Sequence, residues 1–304
     1  MIRPPALRPG ARVALVAAAG PLPEGGVDRA VQRVAGLGWE PVPGRHCRGR
    51  SGYLAGADFE RAADLNAALR DPGIDAVWML RGGYGVMRIL EVVDWEALAR
   101  RPKPLIGYSD NTALHLGALR AGVVAFHGPH PHTEAFPDFA RDALLRVVAS
   151  PAAAGVLPGT AGTEVETVEG GAAEGMLVGG NLSLVAALLG TPYAAPAEGA
   201  ILFLEEVGEH AYRLDRLLSQ LRLAGVLGRV AGIAVGQVTE TPGEGEGIPA
   251  AVDVLRDRLG GLGVPVAIGF PFGHVDDNWT LPLGVRARLD ADAGTLALLE
   301  PAVS

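Results

Sequence analysis

The sequence predicts a two-domain α/β protein, with a doubly wound, mostly parallel sheet domain first and a mixed α/β domain second. Three observations lead there. Between Arg12 and about Ser150, strand-length apolar runs alternate with stretches of helical spacing, the pattern of parallel strands joined by crossover helices. Residues 151–163, PAAAGVLPGTAGT, carry no charge and are rich in Pro, Gly, Ala and Thr, as suits an interdomain linker. From Glu164 onward the strands are shorter and only two helices stand out. The 304 residues match two domains of roughly 150 each, so residues 1–150 form the first, 151–163 the linker and 164–304 the second.

In chain order, the run 13–18 follows a Pro9-Gly10 turn, stops at Gly20-Pro21 and reads as the first buried parallel strand. Arg3, Arg8 and Arg12 ahead of it, with Ala17-Ala18-Ala19 behind, also resemble a secretory leader, but the apolar segment is at the short limit for one. Residues 76–80, 104–108 and 123–126 are the further strands of this half. Residues 27–37, 58–69 and 112–119 are its helices, with Asp58 and Asn111 as N-caps. In the second half, helices are expected over 181–189 and over 210–223, the latter with an apolar stripe of Leu214, Leu217, Leu218 and Leu221. Strands are expected over 200–204, 230–235, 264–268 and 285–289. The segment 239–247, TETPGEGEG, reads as a mobile surface loop.

Composition excludes several classes. A net charge of −8, from 34 acidic and 26 basic residues, opposes a nucleic-acid partner, whose phosphates need cations. No apolar run approaches the ~18 residues that span a bilayer, so no membrane role is expected. Cys47 is the only cysteine, which leaves neither a disulfide nor a thiolate metal cage and suits a reducing cytoplasm.

The chemistry gathers at strand ends. In LIGYSDNTALHLGAL (105–119) an apolar strand runs directly into a helix, placing Ser109 on a sharp turn at the sheet's carboxyl edge. Such a turn exposes a nucleophilic hydroxyl and sets new helical N–H groups beside it as oxyanion donors; equally, Ser109, Asp110 or Asn111 could serve as the helix cap. Asn111 stands where a G-x-S-x-G elbow has its last glycine, so an α/β-hydrolase is not indicated. Arg81-Gly82-Gly83-Tyr84-Gly85 follows another buried strand, and its glycines can bring bare N–H groups to a reacting carbonyl or simply form a tight turn.

A serine nucleophile needs a base, and histidine titrates near working pH. His46, His115 and His210 read as surface or packing residues. His127, His130 and His132, in HGPHPH, form a cluster whose prolines break any regular ligand face, so no metal is assigned. His274 ends GFPFGH, a glycine-flanked turn after an apolar strand. Glu205 and Glu206 end the strand ILFLEE, and either can orient an imidazole or remain an exposed strand-end acid.

Together, RGGYGVMR (81–88), LIGYSDNTAL (105–114), FHGPH (126–130), GGNLSLVAALLGTP (179–192), LFLEEVGEHAYRLDRLL (202–218), and GFPFGH (269–274) with LPLG (281–284) resemble the LD-carboxypeptidase family of serine peptidases, which also holds microcin-C self-immunity hydrolases. The resemblance covers nearly the whole chain. It implies a triad of Ser109 as nucleophile, Glu205 as orienting acid and His274 as base, in a site at the domain interface. The family pattern has Glu-Asp where this chain has Glu205-Glu206, which leaves Glu206 as the second candidate. The resemblance further implies oxyanion donors at Asp110 and in the Gly82-Gly83 pair, no cofactor, and a peptidoglycan tetrapeptide substrate that loses its terminal D-alanine. It also implies a cytoplasmic homodimer. Arg81 and Arg213 are candidates for the substrate carboxylate; Asn181 is read as a cap. The rival readings are hydrolysis of an aminoacyl-nucleotide antibiotic, or a noncatalytic two-lobed protein that binds a small ligand.

Overall fold

The apolar run after the Pro9-Gly10 turn becomes strand β1 (Arg12–Val16), buried along its length except at Arg12. The computed structural model describes residues 1–162, 164–243 and 247–304. Its contacts divide the chain into two units. The first holds Met1–Ala153, Thr280–Gly284 and Pro301–Ser304; the second holds Ala154–Trp279 and Val285–Glu300.

In the first unit β1 is followed by α1 (Gly26–Gly36), β2 (Glu40–Pro43), α2 (Asp58–Arg70), β3 (Ala76–Met79), α3 (Trp95–Arg100), β4 (Leu105–Gly107), α4 (Thr112–Arg120), β5 (Ala125–His127) and α5 (Asp138–Val148). The strands lie in the order β2-β1-β3-β4-β5, all parallel. In a sheet of this order, ligands bind beyond the carboxyl ends, where the connections from β1 and β3 diverge. The loop after β1 and the Arg81–Gly85 turn after β3 both occupy that edge.

The second unit contributes β6 (Gly155–Val156), β7 (Glu166–Glu169), β8 (Ala172–Asn181), α6 (Leu182–Ala187), β9 (Ile201–Val207), α7 (Ala211–Leu223), β10 (Gly232–Thr239), α8 (Ala251–Leu259) and β11 (Val266–Ile268). The chain then gives β12 (Leu281–Leu283) to the first sheet, antiparallel to β5, before β13 (Arg286–Asp290) and β14 (Thr295–Leu298). The second sheet runs β6-β14-β13-β8-β9-β10-β11-β7, parallel from β8 to β11 and antiparallel elsewhere. Its apolar interior includes Phe203, Phe270, Phe272 and Trp279, whose rings pack in series.

Several local expectations change. Residues 151–163 are not a bare linker: Gly155–Val156 pairs with β14, and Thr163 lies outside the described residues. The 239–247 loop expectation falls partly on residues 244–246, which also lie outside them. Ala57, not Asp58, is the N-cap of α2; Glu60 accepts the Ala57 N–H at 2.8 Å, while Asp58 pairs with Arg61 and Arg88. Asn111 stands at the N-cap position of α4, as expected, but its side chain makes no capping hydrogen bond. Among the described residues, no helix is long and apolar enough to cross a membrane, and no group of three or more His, Cys, Asp or Glu side chains could hold a metal ion.

Candidate active site

In the first unit, β4 ends at Gly107, and the chain turns through Tyr108 and a single 3-10 turn, Ser109–Asn111, into α4. Ser109 has φ of +62°, a left-handed conformation shared among described non-glycine residues only by Glu240. A side chain held there stores strain that its surroundings must offset. Gly82 packs directly on it: a Cβ on Gly82 would lie 2.8 Å from Ser109 Oγ and 3.4 Å from the Asp110 nitrogen. Only a glycine fits, so the bare backbone after β3, the hydroxyl and the first N–H of the turn converge. Gly83 instead lies against Gly20, and the Gly82 carbonyl accepts the Gly20 N–H at 2.9 Å.

The Asp110 side chain is buried and accepts the Val86 N–H at 2.8 Å; burial pushes its pKa up to about 6. Arg61, a fully buried arginine of α2 that sequence reasoning passed over, donates to the carbonyls of Ala18 and Gly85 and thereby ties the β1 and β3 loops together. A helix-borne arginine reads as a surface residue; the available clue was the three-residue spacing from Asp58, which it also binds. Arg81 directs its guanidinium to the Pro21 carbonyl at 2.5 Å.

In the second unit, β9 delivers two adjacent carboxylates to opposite faces, as strand alternation requires. Glu205 is fully buried, and its Oε2 lies 2.7 Å from His274 Nδ1. A carboxylate accepts, so Nδ1 donates and Nε2 of the neutral ring carries the lone pair. Glu206 turns the other way and accepts from Asn181 Nδ2, the Ser183 N–H and its own Val207 N–H at 2.8, 2.8 and 2.9 Å. Burial pushes its pKa up. Glu205 is therefore the carboxylate that meets the imidazole. Asn181 caps α6 through the Leu184 N–H, as its position predicts.

The turn carrying His274 is braced by residues absent from the sequence reading. Gly236 and Gln237 lie where the pairing of β9 and β10 shifts register, a bulge. From it Gln237 donates its side-chain N–H to the Gly269 carbonyl at 2.7 Å, and its backbone N–H to Phe272 at 2.9 Å. Asn278 accepts the Gly273 N–H and returns a donor to the Gly273 carbonyl. The one sequence signal was a Gly-Gln pair interrupting an apolar strand. Arg213 sits half-exposed on α7 and donates to Glu209 and the Tyr212 hydroxyl.

Thus Ser109, Asp110 and Gly82 come together in the first unit, and Glu205 and His274 in the second. Fold and clusters define a class: a two-unit α/β protein with a strained strand-to-helix serine in one unit and a buried Glu-His pair in the other. The chain belongs to the LD-carboxypeptidase family, whose N-terminal domain model matches residues 13–128 and whose C-terminal domain model matches residues 174–289. It is 45% identical to a putative carboxypeptidase of Streptomyces coelicolor, over 100% of this chain and 98% of that one. It is 34% identical to a murein tetrapeptide carboxypeptidase of Pseudomonas aeruginosa, over 92% and 94%. Among solved structures, a muramoyltetrapeptide carboxypeptidase from Oxalobacter formigenes superposes with a TM-score of 0.83 at 29% identity, covering 96% of this chain and 100% of that one.

Proposed function

We propose that this chain is a serine-type LD-carboxypeptidase that removes the terminal D-alanine from peptidoglycan tetrapeptides, with Ser109 as nucleophile, His274 as base and Glu205 as its orienting acid. The observation that carries the reading is the left-handed Ser109, pressed against a bare Gly82 at a carboxyl strand edge. Nothing in ordinary packing asks for that strain. The buried Glu205-His274 pair and the murein carboxypeptidase relative support it.

In this mechanism His274 Nε2 takes the Ser109 proton as Oγ attacks the amide carbonyl. Backbone N–H groups of Asp110 and of the Gly82-Gly83 pair donate to the tetrahedral oxyanion. Collapse breaks the C–N bond, and His274 returns the proton to the departing D-alanine amine. Water, deprotonated by the same ring, then hydrolyses the acyl-enzyme and regenerates Ser109. Glu205 keeps the Nδ1–H tautomer and stabilises the transient imidazolium.

Mass spectrometry of a tetrapeptide incubated with the protein tests this. Wild type should remove one alanine, and Ser109→Ala should slow the loss by about 10⁴-fold or more. An intact tetrapeptide with the wild type, or unchanged cleavage by Ser109→Ala, contradicts it. An aminoacyl-nucleotide amide in the same assay is expected to be the poorer substrate.

A further inference from the structure

The proposed mechanism leaves one side chain next to the serine turn without a role. Asn111 is fully buried, and its Nδ2 lies 3.0 Å from the Tyr108 carbonyl, 3.2 Å from the Arg81 carbonyl and 3.0 Å from His130 Nε2. Carbonyls only accept, so the nitrogen end of this amide faces all three partners. His130 Nε2 must then accept as well. The Tyr108 N–H points to the same nitrogen at 3.4 Å. An imidazole that accepts at Nε2 carries its proton on Nδ1 and is neutral. The buried His130 ring also stacks on Tyr108, with centroids 4.2 Å apart and planes 29° apart.

One lone pair therefore collects the N–H of the residue before Ser109 and the amide that bridges Tyr108 to Arg81, the residue before Gly82. We propose that His130, as a neutral Nε2 acceptor, is a positioning residue that holds the Ser109 turn and the Arg81–Gly85 turn in register with each other. The proposal rests on the reading of Ser109 as nucleophile. In this role His130 acts on the turn through Asn111 and Tyr108. The other groups around it preserve the neutral form. His132, 5.8 Å away, is pushed down to about 4, first by burial and then by nearby Arg81, and Asn111 and Tyr108 offer only donors to Nε2. Protonation at Nε2 would aim a third N–H at two existing ones.

Nitrogen-detected NMR of the wild type at pH 7 should find His130 as the Nδ1–H tautomer, a measurement that needs no activity. On the tetrapeptide, His130→Ala should lower kcat about 10- to 100-fold with KM within about twofold, because misplacement of reacting groups by about 1 Å costs about that much. His130→Gln, whose amide oxygen can accept in place of Nε2, should recover most of the loss. An Nε2–H tautomer, an imidazolium at pH 7, an unchanged kcat in His130→Ala, or a folded His130→Gln as slow as His130→Ala would each overturn the proposal. Failure of the wild type to cleave the tetrapeptide would overturn the functional reading instead, and the tautomer would then decide the positioning claim alone.

Discussion

Gly273 and the adjacent acid pair show how much a single residue settles here. Gly273 has φ of +113°, and a Cβ on it would lie 2.9 Å from Glu205 Cβ and 3.0 Å from Glu205 Oε2. Gly273→Ala therefore meets backbone strain and a clash at the carboxylate that orients His274, and kcat/KM should fall about 100-fold or more. Steady-state kinetics beside a urea melt would separate this loss from unfolding. The acid pair allows a sharper comparison. Glu205→Gln keeps shape but loses the charge behind His274 and should lower kcat about 10⁴-fold. Glu206→Gln leaves His274 Nδ1 its partner, so its effect should fall mainly on stability, through Asn181 and the start of α6; equal activity losses in the two variants would reject the assignment. The sequence displays two neighbouring acids after an apolar run and cannot tell them apart, because the answer depends on which face of β9 meets the GFPFGH turn. Ser109 and His274 were legible because each sits in a turn that follows a buried strand, β4 for Ser109 and β11 for His274.

At the level of elements, the parts that position chemistry are irregularities. The bulge in β10 puts Gln237 under the 269–274 turn, and Gly236 must be bare because a Cβ there would run into the Phe272 carbonyl and ring. Gln237→Ala removes the donor to Gly269 and Phe270 while leaving the strand's own pairing, so kcat should fall about tenfold and amide exchange at Gly269 and Phe272 should accelerate. Unchanged exchange there would show that the turn holds itself. Irregularity also explains what the sequence concealed. Strand β2 reads Glu-Pro-Val-Pro, and two prolines argue against a strand unless it lies at a sheet edge, as this one does. Near the end of strand β8, Gly179 and Gly180 both have positive φ and the first packs against the Phe203 backbone, so these glycines serve close strand approach. The buried strands β1 and β3 and the striped helix α7 were plain because a single pattern ran through each, an unbroken apolar run in the strands and a helical stripe in α7.

For the whole molecule, the returning segment was the least legible feature. Leu281–Leu283 is too short to show a period, yet it extends the first sheet, so the polypeptide assigned to the second half also completes the first unit. Stability should carry the mark of buried titratable groups. Burial pushes His115 from the ordinary 6.5 down to about 3, and His132 to about 4, so below pH 6.5 the unfolded chain binds protons that the folded chain refuses. Asp110, raised from 3.8 to about 6 by burial, acts in the opposite sense over roughly the same interval. Glu206, also raised by burial, acts with Asp110, but the histidine gaps open first, at pH 6.5, and are the wider, so stability should fall on acidification below pH 6.5, measurable as a falling urea midpoint. His115→Leu should flatten that slope, because the His115 ring is buried without a hydrogen-bond partner and its removal forfeits none; a midpoint that rises on acidification would contradict the assignment. The central claim, that His274 makes the Ser109 hydroxyl reactive, is tested most directly by an active-site phosphonylating reagent followed by peptide mapping. The account predicts an adduct on Ser109 in the wild type and its loss in His274→Ala. Labelling of Ser109 at the same rate without His274, or an adduct confined to another residue, would contradict it.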